Sequence, residues 1–365
     1  MTVQRFRFFA ACTLTAALFV ILLGNSALAM DGVRRGLSLC TETLIPALFP
    51  FLVLSELFVA CGAGELLGLF LGRPIAALFG ISRNGACAVL LGALCGQPVA
   101  SVSALSLYER GEIGQKELQR ISLFANNPSS AFLTAAVGGA LFGNSGAGMA
   151  LFFITLLASA IVGAGLHIFG GKVVLFEKKP PNGARKPLSF ADVTGGIKRG
   201  FFTLLQVCAF LLFFCAINAC LAVPLAKAPP FWRVLLGGIL EMTGGISAAA
   251  STLPASIAFR LTAFFSSFAG LSVCLQILSI TEGTGVRLSH YLAAKLTQGG
   301  IALLLCEGYL CFFRPVLSPT GSVPTGTFSA RVPAFAVMLA LLLLGILLRK
   351  GKALQNNKER RTGRF

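Results

Sequence analysis

The chain has 365 residues, of which 56% are hydrophobic and 12% charged, with a mean hydropathy of +0.83. Soluble domains carry charge on about a quarter of their residues, so this composition excludes an ordinary soluble domain and describes a polytopic membrane protein. Of the formal net charge of +17, a net +5 lies between Lys172 and Arg199 and a net +6 between Arg349 and Phe365. Short cytoplasmic loops of membrane proteins collect Lys and Arg, and no aromatic-interleaved module accompanies the charge. The basic excess therefore reads as topology, with nucleic acid excluded as a partner.

Eleven cysteines occur without a CxxC pair. An odd count without paired spacing argues against a disulfide framework or a zinc site; they read as small hydrophobes, and no metal or cofactor is expected.

The first apolar segment, 8–23, follows Arg5 and Arg7 and precedes Ala27-Leu28-Ala29, a small-x-small pattern that also suits a signal-peptidase site. The multispanning continuation favours a retained transmembrane helix. Ten further apolar segments follow, at 40–61, 65–81, 86–107, 121–142, 147–170, 201–223, 232–253, 257–280, 292–312 and 331–349. Each is judged against the roughly 20 residues that a bilayer requires. With the N-terminus, the linker and the tail on the cytoplasmic side, each half needs an even number of crossings. The second half has five candidates, so at least one element there is expected to be re-entrant or a half-helix.

The linker between Lys172 and Arg199 holds Pro180-Pro181, Asn182-Gly183 and Pro187, all turn or extended signals. It reads as the joint between two halves. LLGALCGQPVASVSALS from Leu90 falls on LLGGILEMTGGISAAAS from Leu235 at an offset of 145, and SLFANNPSS from Ser122 on TAFFSSFAG from Thr262 at an offset of 140. The expected organisation is an N-terminal transmembrane helix or signal sequence (1–32), a first repeat (33–171), a basic cytoplasmic linker (172–199), a second repeat (200–312), and a C-terminal transmembrane helix with a basic tail (313–365). The fold class is all-α and polytopic, with two gate-like repeats containing broken or re-entrant helices.

The breaks carry the chemistry. Gly96-Gln97-Pro98 and Asn126-Asn127-Pro128-Ser129-Ser130 interrupt apolar runs. Broken backbone is costly against lipid and tolerable where it is buried in protein or lines a cavity. Gln97 beside Pro98 offers an amide where a helical turn loses a donor. Asn126, Asn127, Ser129 and Ser130 place donors and acceptors ahead of a new half-helix, whose free N–H groups favour an anion. The matching positions in the second half are Thr243, next to Glu241, and Ser266 with Ser267. We take Gln97, Pro98, Asn126, Asn127, Ser129, Ser130, Thr243, Ser266 and Ser267 as candidate solute-binding residues.

Intramembrane carboxylates are functional candidates by default. Glu241 lies mid-segment, and Glu56 and Glu307 also fall within apolar runs. Each could serve in ion coupling or as the partner of a basic side chain; Arg260 and Arg287 are the basic candidates for Glu56 and Glu307. His167 and His290 are isolated. No Ser-His-Asp order, HExxH or complete phosphate-binding loop is present, so an enzyme or ATP-driven pump is not expected.

Gly36 to Gly62, GLSLCTETLIPALFPFLVLSELFVACG, with its Ile45-Pro46 and Leu48-Phe49-Pro50-Phe51, then Gly96-Gln97-Pro98, a polar loop with Tyr108 and Gly111, and a broken helix with Asn and Pro follow one another in a specific order. In this the chain resembles the YlbJ family of sporulation integral membrane proteins, within the wider set carrying nucleoside-recognition or gate domains, over about residues 33–312. The resemblance implies transport of a small polar or anionic solute, dipicolinic acid first, across a cell membrane or spore-associated membrane. A nucleoside, another small carboxylate, or a non-transporting gate or scaffold role stays open. Gln97 stands where that family has an aromatic, and Ala100 where a second glycine is common, so the solute is the point these departures touch. Expected partners are the solute and the lipid bilayer, with a homo-oligomer open; in the scaffold alternative, small-residue faces would assemble with other proteins.

Overall fold

The computed structural model describes residues 3–61, 72–170 and 189–313. The segment at 331–349, the basic tail, part of the 65–81 segment and the linker as far as residue 188 lie outside the described residues. No strand occurs among those described. The protein is an all-α polytopic membrane protein, and the apolar segments at 86–107, 121–142, 232–253 and 257–280 each resolve into two shorter helices.

In chain order the elements are α1 (Val3–Gly24), α2 (Ser26–Leu39), π1 (Cys40–Leu44), α3 (Ile45–Ala60), α4 (Arg73–Phe79), α5 (Arg83–Cys95), α6 (Val99–Glu109), α7 (Gln115–Phe124) and π2 (Phe132–Leu141). After these come α8 (Ser145–Phe169), α9 (Phe190–Leu221), α10 (Pro230–Leu240), α11 (Met242–Thr252), α12 (Ala255–Phe268), α13 (Gly270–Ile280) and α14 (Leu288–Phe313). Among the described residues, four helical stretches are long and apolar enough to cross a bilayer: α8, α9, the consecutive α12 and α13, and α14. The count rises to six if the bent pairs α1–α2 and α4–α5, turned by 94° and 95°, each form one span.

Local chemistry explains the boundaries. Ser82 caps α5 by accepting from the Gly85 N–H, and Asn144 caps α8 by accepting from the Ala147 N–H. Ser189 and Asp192 form a capping box at the start of α9. This start corrects one expectation: the linker's last ten residues, 190–199, belong to a 32-residue helix. An apolar stripe below the basic residues, led by Leu204 and Val207, binds α9 to the core and extends the helix upstream.

Small residues let α2 and α9 approach closely. A Cβ on Gly36 would lie 3.0 Å from the Leu212 side chain, and one on Gly32 would meet the Cys215 and Ala216 backbone. Among the described residues two larger hydrophobic cores result, beside a small cluster of Cys274, Ile277 and Tyr291, and neither larger core follows the division of the sequence into halves. One gathers α3, α5, α6 and α7 with Leu204 and Val207 of α9 and Ala294 of α14. The other gathers π2 and α8 with residues of α10, α11, α12 and α14.

Candidate functional site

The breaks expected from sequence are breaks in the structure. Gly96 takes a φ of +90°, open to glycine but strained for other residues, and the Gln97–Pro98 peptide is cis. A Cβ on Gly96 would sit 2.8 Å from the Ser129 backbone nitrogen, so the Gly-Gln-Pro turn rests against the Asn-Pro-Ser-Ser turn. The second half repeats this contact. A Cβ on Gly270, the first residue of α13, would lie 3.1 Å from the Met242 nitrogen at the α10–α11 break. The halves meet where the Gln97 amide Nε2 approaches Met242 Sδ at 3.6 Å, across the 145 residues that separate the two aligned breaks. Gln97 Oε1 is buried and has no hydrogen-bond partner among the described residues.

Asn126 and Asn127 sit in a cluster of polar side chains, and both are buried. The Asn126 side chain accepts from the Ser101 N–H and donates to Ser101 Oγ and the Ser122 carbonyl, at 3.2, 2.8 and 2.9 Å. Asn127 donates to Ser159 Oγ at 3.0 Å. From α14, Lys295 Nζ donates to the Asn126 carbonyl, and Gln298 Nε2 donates to Asn127 Oδ1 at 2.6 Å. The ammonium also donates to Gln298 Oε1 at 3.0 Å. Tyr291, one turn earlier and fully buried, points its hydroxyl at Asn126 without a well-formed hydrogen bond.

The counterpart in the second half is sparser. Ser266 and Ser267 are buried in the last turn of α12. Ser267 Oγ donates to Thr155 Oγ1 of α8 at 3.4 Å, while Ser266 Oγ has no partner among the described residues. The offset of 140 that aligns Asn127 with Ser267 also aligns Thr155 with Lys295. Each polar break is thus met by the long helix of the other half.

Both half-helix starts differ from the expected open anion sites. Ser129 Oγ accepts from the Phe132 N–H at 3.2 Å, and Ser130 contributes its carbonyl to Thr134 Oγ1 at 2.7 Å. Glu241 is the N-cap of α11, its buried carboxylate accepting from the Thr243 and Gly244 N–H groups at 2.8 and 2.6 Å. The helix end that was expected to receive a solute is occupied by the chain's own anion. The reason is local: a carboxylate at the cap position satisfies orphan N–H groups and the positive dipole end together.

The other carboxylates lie outside this cluster. Glu56 accepts from Ser106 Oγ at 2.7 Å and pairs with Arg199 at 2.6 Å. The pairing of Glu56 with Arg260 or Arg287 is therefore corrected, because α9 brings Arg199 alongside α3. Glu307 does pair with Arg260, in a two-pronged bridge with both side chains partly exposed, at 35% for Arg260 and 48% for Glu307.

Sequence reading missed Lys295, Gln298, Tyr291, Ser101 and Ser159. The signal was a polar stripe at spacings of four and three, Tyr291, Lys295 and Gln298, on one side of an otherwise apolar helix. It also missed Glu117, whose Oε1 accepts from the Ser82 N–H and Oγ at 2.7 and 2.6 Å and fastens α7 to the start of α5.

Comparison with known proteins adds a relative. The chain is 26% identical over 309 residues to the sporulation integral membrane protein YlbJ of Bacillus subtilis (strain 168), covering 73% of this chain and 74% of that protein. No protein-family model and no solved structure matches the chain. The order of motifs, the broken helices and this similarity agree, and the chain is a homologue of the sporulation integral membrane protein YlbJ.

Proposed function

We propose that this protein serves sporulation by carrying a small polar or anionic solute, dipicolinic acid first, across a membrane between its broken helices. The observation that carries this reading is the meeting of polar breaks: Gly96-Gln97-Pro98 against Ser129, Gly270 against Met242, and Gln97 against Met242. Non-helical backbone at membrane depth is tolerated where it is buried in protein or lines a cavity, and paired breaks from two repeats are a known way to build a solute site. A scaffold needs close helix packing but no such concentration of buried amides and hydroxyls. The reciprocal capping by α8 and α14 supports two related repeats that rock against each other around the breaks. The likeness to YlbJ supports the sporulation setting.

Purified protein in proteoliposomes tests the reading. Labelled dipicolinate should accumulate above empty vesicles, and Asn127→Ala should lower the initial rate at least about tenfold, the equivalent of roughly 1.4 kcal/mol. Folded protein that gives uptake equal to empty vesicles defeats the reading for this solute.

A further inference from the structure

We propose that Lys295, flanked by Tyr291 and Gln298 on α14, is the point at which the protein recognises a carboxylate anion. The inference rests on the transport reading above and assigns the substrate class to residues outside the set found from sequence. Lys295 is fully buried, and its described hydrogen-bond partners are two neutral oxygens, the Asn126 carbonyl and Gln298 Oε1. An ammonium has three donors, and a buried cation is costly unless an opposite charge accompanies it. No carboxylate lies within ion-pair distance among the described residues.

A structural staple does not need this charge. The Asn126 carbonyl is left free by the break after α7, and any neutral donor of suitable length would satisfy it. The charge is explained by an anion that exchanges for the carbonyl when the break opens. The Tyr291 hydroxyl points into the same cluster without a well-formed bond of its own. The Gln298 amide holds Asn127 Oδ1 on the other side. One cation and one hydroxyl donor at helix spacing suit a carboxylate, while the self-capped starts of π2 and α11 leave no comparable claim on it.

The test compares full-length wild type, Lys295→Met and Lys295→Arg in detergent, titrated with pyridine-2,6-dicarboxylate and with its uncharged dimethyl ester. Wild type should bind the dianion saturably, more weakly at high salt, and should not bind the ester. Lys295→Met should lose at least tenfold in affinity, with an apo melting temperature equal to or above wild type, since an unpaired buried charge has gone. Lys295→Arg should retain most of the affinity. Wild-type affinity in Lys295→Met, equal binding of ester and dianion, or no saturable binding by wild type would each overturn the inference. If Lys295→Met instead melts lower and binds like wild type, Lys295 is a staple and the inference also fails. Uptake separates the two proposals: Lys295-dependent binding without uptake sinks transport alone, whereas uptake unchanged in Lys295→Met sinks anion recognition alone.

Discussion

Glu241 and Lys295 are both buried and both meet only neutral groups in the described structure, yet they are handled differently. Glu241 is matched by two backbone N–H groups and a helix dipole, so its charge has a fixed purpose in starting α11. Replacing it by Ala should leave the Thr243 and Gly244 N–H groups unsatisfied in a buried setting. The expected cost is about 1–2 kcal/mol, the range for a lost N-cap. Glu241→Gln keeps a cap oxygen and should recover part of it. Thermal unfolding in detergent reads both, and an unchanged transition in Glu241→Ala would show that the cap contributes little.

At the scale of elements, the breaks depend on close backbone approach. Gly245 of α11 lies against Gly238 of α10, and a Cβ there would collide with the Gly238 backbone, which cannot rotate away. Gly245→Ala should therefore destabilise by about 1–3 kcal/mol, as overpacking does. Gly300, in α14, has nothing within 4 Å of its notional Cβ and is the matched control. Gly300→Ala should be neutral or raise stability by up to about 1 kcal/mol through helix propensity. Equal melting temperatures for the two variants would refute the packing account. Gly96 and Pro98 made the α5–α6 break readable in advance, because a missing donor and a left-handed φ are properties of single residues. The ten-residue π2 was not readable. Its hydrogen bonds run five residues back, as from the Phe142 N–H to the Val137 carbonyl, and its contact with α8 through Gly138 and Gly148 depends on a neighbour that propensity does not describe.

Across the whole molecule, the two larger cores mix elements of both sequence halves, so the rocking proposed for solute passage would repack elements within a shared interior. The contact of Gln97 with Met242 lies on that boundary. In a background lacking the eleven native cysteines, Gln97→Cys with Met242→Cys should be joined by a short thiol cross-linker. Uptake should then fall to the level of empty vesicles and return on reduction of a cleavable linker. Full uptake by cross-linked protein would place the moving boundary elsewhere.

The sequence by itself determined the membrane class, the all-helical fold and the positions of the breaks. These follow from composition and from residues whose backbone chemistry is local: Pro98, Gly96, and the Asn126-Asn127-Pro128 run. Tertiary structure alone decided what fills each break. Lys295 reaches Asn126 across 169 residues, Gln298 reaches Asn127 across 171, and Arg199 reaches Glu56 across 143. Such partners are chosen by how helices pack in three dimensions, and no periodicity within a segment encodes the face of a distant one. The same packing turned Glu241 from a free carboxylate into a helix cap and made Lys295 the charge left for an anion.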